Sequence, residues 1–132
     1  MNLARAYVLA DKLQDPASAN VIINNFINIY SKCPKSLTPA ILMWIYQHTP
    51  PESPMRKLAQ DATMYDALSC CFDMRREDEF PNALLLTIIR EQKLLREKDS
   101  QKTLKEAYPY GMVANRPKCY YHQHNDKHPK CK

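Results

Sequence analysis

Glycine is almost missing from this chain: Gly111 is the only one in 132 residues. Loops that cradle phosphates need several glycines, because only glycine lets the backbone approach a phosphate at the required angles. A P-loop and a dinucleotide-binding fingerprint are therefore excluded. Two-residue hairpins lean on glycine or asparagine, so an all-β fold is not expected, and no segment alternates long enough to read as a strand. Also missing is any run near the roughly 20 apolar residues that a membrane span needs. The apolar stretch Leu3 to Ala10 is interrupted by Arg5 and ended by Asp11 and Lys12, too early for a secretory leader. An even cysteine count is lacking as well. Cys33, Cys70, Cys71, Cys119 and Cys131 are five, two of them adjacent, which reads as thiols in a reducing compartment, the nucleus or cytoplasm.

What is present is the balance of one folded domain: 45% apolar and 25% charged residues, against the polar excess of a disordered chain. Helix starts are announced three times by a capping side chain followed by proline: Asp15-Pro16, Thr38-Pro39 and Ser53-Pro54. That pairing supplies an acceptor for the orphan amides and a preset φ at the first helical position. A first helix is expected from about Asn2 to Leu13, apolar on nearly every side, which calls for a covering surface. The second carries Ala19, Ile22, Ile23, Phe26, Ile27 and Tyr30 at helical spacing, and the third Ile41, Trp44, Ile45 and His48. A fourth holds Met55, Leu58, Ala62 and Tyr65, with Ser53 as its cap. After the charged connection Asp73 to Glu79, the last runs from about Pro81 with Leu84, Leu85, Ile88, Ile89 and Leu95 inward. The expectation is an all-α fold, a small irregular bundle of about five helices with an extended C-terminal tail. Residues 1–98 form the helical module and 99–132 a charged, partly irregular tail.

Three stretches carry a resemblance. Arg5-Ala-Tyr-Val-Leu-Ala-Asp-Lys-Leu-Gln-Asp15 with Ala19-Asn-Val-Ile-Ile-Asn24 resembles the helices that close a BTB/POZ domain in fungal proteins. Ile45-Tyr-Gln-His-Thr-Pro-Pro-Glu-Ser-Pro-Met-Arg-Lys-Leu58 is similar to their helical extension, and Cys119-Tyr-Tyr-His-Gln-His124 to their C-x-Y-H-x-H ending. On this resemblance residues 1–31 correspond to the end of a BTB/POZ domain and 36–98 to the extension. It implies a non-enzymatic protein–protein interaction module, since such domains pair with themselves or with partners and some bridge substrates to cullin ubiquitin ligases. The matching part starts in the late helices, so the chain is expected to lack the N-terminal half, as a truncated product or fragment. The apolar first helix is then a face which that half would cover, and self-association through it is expected.

Metal-ligand chemistry is concentrated in one place: Cys119-x2-His122-x-His124-x6-Cys131, with His128 nearby. Thiolate and imidazole are the mixture zinc prefers, so these four are the candidate zinc ligands. The spacing is not that of a standard finger, and the plainer reading packs Tyr120 and Tyr121 down and leaves the histidines in water. Nearly all the excess positive charge also lies here, in Arg116, Lys118, Lys127, Lys130 and Lys132 against Asp126. A zinc-stabilised basic tail contacting nucleic acid is the alternative function. No catalytic residue is assigned. Cys70 and Cys71 lack a histidine nearby in sequence and read as small core hydrophobes. His48 is expected to meet the free carbonyls at a helix end.

Overall fold

Five α-helices are seen in a computed structural model that describes residues 2–33, 37–67, 80–98, 113, 116–117 and 119–124; Cys70, Cys71 and the charged connection Asp73 to Glu79 lie outside these. Helix α1, Asn2–Lys12, buries Ala4, Tyr7 and Val8, spaced by three and four residues so that they share one face. It ends in a left-handed turn at Gln14, with φ 53°. There the Asp15 amide reaches back to the Ala10 carbonyl at 2.9 Å and the Gln14 amide to Asp11 at 3.0 Å. These two bonds cover carbonyls that the helix leaves open. The left-handed residue is glutamine because the chain offers no glycine at this turn.

Asp15 then caps helix α2, Pro16–Lys32, accepting from the Ser18 amide at 3.1 Å, with proline at the first position. The buried face is Ala19, Ile23, Phe26 and Tyr30. Helix α3, Pro39–His48, opens on Thr38, whose hydroxyl oxygen accepts from the Ile41 amide at 3.4 Å. It closes at Thr49, where both amide and hydroxyl donate to the Ile45 carbonyl. His48 turns its Nδ1 to the Trp44 carbonyl at 2.8 Å, one turn back within the helix rather than to the open carbonyls of its end, and stacks on the Trp44 ring.

Helix α4, Pro54–Asp61, departs from expectation at its start. The Ser53 side chain makes no cap bond; it donates to the Tyr7 hydroxyl at 3.3 Å instead. The turn is held by backbone, with the Ser53 amide on the Pro50 carbonyl at 3.1 Å. Arg56 reaches back to the Tyr46 and Thr49 carbonyls and lies over the Tyr46 ring, so a cation closes the negative end of α3. Beyond Asp61 the ladder widens into a π-helical turn, Ala62–Ala67. Here the Thr63 hydroxyl takes the Ala59 carbonyl at 2.8 Å and the Tyr30 hydroxyl takes that of Ala62 at 3.0 Å. Such side-chain competition for helix carbonyls accompanies widened turns.

Helix α5, Asn82–Lys98, buries Leu84 and Ile88 together with the preceding Phe80 and Pro81. Ile89, expected inward, is 61% exposed. Ile89 lies three residues after the exposed Leu86 and five after the buried Leu84, so it belongs to the outer stripe. Leu95 and Tyr65 lie outside the residues whose side chains are described. Conversely Leu42, unassigned from sequence, is fully buried in α3. The all-α expectation stands: α1 packs chiefly on α2 and also on α3, α3 packs on α4, and no strand occurs among the described residues. Among them no helix is long and apolar enough to cross a membrane.

Candidate metal centre

The described part of the C-terminal tail is laid across the helices as a strap. Val113 and Tyr121 belong to the same core as Tyr7, Ile23 and Leu58. Pro117 cannot donate, but its carbonyl accepts from the Tyr120 amide at 2.9 Å, and Cys119 accepts from His122 at 3.2 Å. Consecutive turns therefore carry the chain from Pro117 to His122. Tyr121 points into the protein, where its hydroxyl donates to Asp61 Oδ2 at 2.7 Å. Tyr120 stays at the surface, its ring covered by Lys57 at 4.0 Å and Arg116 at 4.6 Å. Of the five tail cations Arg116 is described, and it is engaged in this stacking.

Burial raises the pKa of Asp61, since a carboxylate loses its hydration there; the Tyr121 hydroxyl bond pulls the other way. Burial likewise raises Tyr121, with the bond to Asp61 adding to it, so at neutral pH the phenol keeps the proton it donates. Tyr7 is raised by burial too, and Tyr46 is pushed up to about 12 by burial that outweighs the nearby Arg56.

Past Tyr121 the strap is held by one face of α2 and the polar edge of α1. Asn20 pairs with the backbone of Gln123 through both ends of its amide. The Gln123 side chain donates to Tyr7 Oη at 2.9 Å and to Asp11 Oδ1 at 3.1 Å. One turn along α2, Asn24 Oδ1 meets His122 Nε2 at 2.8 Å. In the sequence these asparagines fall largely off the apolar positions of α2. Their signal was an i, i+4 pair of poor helix formers within a helix, a cost that needs a reason.

This docking brings together three of the four predicted ligands. One donor atom each from Cys119, His122 and His124 lies within 4.8 Å of the others, and all three residues are partly buried. The His122 and His124 rings stand 5.9 Å apart, while Gln123 between them is turned to Tyr7 and Asp11. A thiol and two imidazoles are the donors that a zinc-class ion takes. Cys131 and His128 lie outside the described residues. Set against known protein families, curated proteins and solved structures, the chain matches none of them.

Proposed function

We propose that this chain is a protein-binding module of BTB/POZ type, a scaffold without catalytic chemistry that presents the outer side of α1 to another polypeptide. The observation that carries the reading is the stripe formed by Leu9 and Leu13. They are 59% and 70% exposed, lie one turn apart, and are joined by a backbone bond of 2.9 Å. A single exposed leucine is ordinary, but adjacent large apolar side chains beside a filled core are a recognition surface in the making. Leu86 and Ile89 repeat the pattern on α5. The family part of the reading rests on the motif residues from Arg5 to Asp15, from Ile45 to Leu58 and from Cys119 to His124.

A second copy of the chain is the partner available in a purified sample. Sedimentation velocity over a rising concentration series is expected to show association of the native chain. The double variant Leu9→Glu, Leu13→Glu is expected to stay monomeric with unchanged helical circular dichroism. A native chain that remains monomeric throughout, or a charged variant that associates equally well, overturns the reading.

A further inference from the structure

Among the described residues the strap holds the strongest unassigned chemistry. A tetrahedral zinc-class ion bound at its usual distances separates neighbouring sulfur and nitrogen donors by roughly 3.3–3.8 Å. The donors of Cys119, His122 and His124 already lie within 4.8 Å of one another, so small side-chain rotations close the gap. Their placement has a local cause. The turn accepting at the Cys119 carbonyl folds Cys119 back toward His122. Residues 122 and 124 are separated by one residue in non-helical chain, and Gln123 is bonded to α1 and α2.

Asn24 supplies the second observation. Its Oδ1 lies 2.8 Å from His122 Nε2 and, in the tautomer that carries the ring hydrogen on Nε2, accepts it and fixes the orientation of the imidazole. In that tautomer Nδ1 carries the lone pair that would coordinate the ion. A histidine whose other nitrogen donates to a fixed oxygen is the usual arrangement around protein-bound zinc.

From these we infer that Cys119, His122 and His124 bind one divalent zinc-class cation, with Asn24 as the positioning residue for His122, and that the ion fastens the strap to α2. Three protein donors leave the fourth tetrahedral position to water or a further donor. Binding displaces the thiol proton of Cys119 to solvent, and no electron changes hands. Because ligand positions depend on the docked strap, ion and strap stabilise each other. The inference shares Cys119, His122 and His124 with the family resemblance but uses none of the exposed leucines of α1 that carry the protein-binding reading, and either can fail alone.

Cobalt(II) is the probe, because a tetrahedral thiolate site on cobalt absorbs visibly and a water-coordinated ion barely does. Reduced native chain titrated with cobalt is expected to reach one ion per chain, with tetrahedral bands and a sulfur-to-metal charge-transfer band that zinc then abolishes. Cys119→Ala is expected to lose the charge-transfer band while keeping its helical circular dichroism. Asn24→Ala keeps every ligand and is expected to weaken binding roughly 10–100-fold. Zinc is expected to raise the thermal midpoint of the native chain and not that of His122→Ala. Absence of tetrahedral bands at saturating cobalt, or bands of equal strength in Cys119→Ala, overturns the inference.

Discussion

Asn20 holds the main chain of Gln123 from both sides, its Nδ2 donating to the Gln123 carbonyl at 2.9 Å and its Oδ1 accepting from the Gln123 amide at 2.8 Å. A helix side chain thus does for the strap what a neighbouring strand does in a sheet. Buried backbone groups must be paired, and a segment without regular structure has no ladder of its own. Asn20 pairs the backbone of residue 123 where it lies against α1 and α2, and Tyr7 and Asp11 hold its side chain.

Replacing Asn20 with alanine therefore removes two bonds at once. At about 0.5–1.5 kcal/mol net for each, Asn20→Ala is expected to cost roughly 1–3 kcal/mol in urea unfolding. The Gln123 amide is expected to exchange with solvent much faster. Asn20→Asp keeps the acceptor and loses the donor, so it belongs between the two. Unchanged exchange at Gln123 in Asn20→Ala is the result that refutes this.

Asp61 makes stability respond to acid in an uncommon direction. Burial raises its folded-state pKa above the ordinary 3.8, so the folded chain holds this proton more tightly than the unfolded chain. Its penalty is full above the folded pKa. It is relieved as pH falls through that value and is gone below the unfolded one. Asp61→Asn, which still accepts from Tyr121, is the reference that cancels the other carboxylates. The native chain is expected to gain on Asp61→Asn as pH is lowered from neutral. Tyr121→Phe removes the hydroxyl bond that favours the carboxylate, and is expected to shift that window upward. A native chain that loses ground to Asp61→Asn on acidification contradicts the assignment.

The helices were legible because their signals are local. Asp15, Pro16, Thr38, Pro39 and Pro54 each act within one turn, and the apolar periods of α1 and α2 need only the helix itself. The strap was legible as a set of ligand types, Cys119, His122 and His124, but not as a docked segment. Its docking depends on Asn20, Asp61 and Tyr7, which lie 103, 60 and 116 residues from their strap partners. No periodicity spans such separations. Ser53 shows the limit from the other side: its position before Pro54 reads as a cap, yet a buried phenol 46 residues away competes for the hydroxyl and wins.

Ser53→Ala accordingly acts through Tyr7 rather than through the start of α4. The Tyr7 hydroxyl gathers Ser53 at 3.3 Å and Gln123 at 2.9 Å, so the three side chains form one network. In a double-mutant cycle Ser53→Ala and Tyr7→Phe are expected to be non-additive by about 0.5 kcal/mol or more, as partners in contact are. Additive costs return Ser53 to the role of a helix cap.

Leu42 and Ile89 test which apolar residues hold the bundle. Leu42 is fully enclosed among Tyr7, Ile45, Leu58 and the rest of the core, whereas Ile89 stands outside α5. Truncating a buried leucine loses its transfer energy and leaves a cavity that rigid helices only partly fill. Leu42→Ala is expected to cost about 2–5 kcal/mol. Ile89→Ala removes surface already in contact with water, and its cost is expected within about 0.5 kcal/mol of zero. Urea midpoints of the two variants, taken at a concentration where Leu9→Glu, Leu13→Glu is monomeric, separate folding from association. Equal destabilisation by both places Ile89 in the interior, where the hydrophobic period of the last helix first pointed.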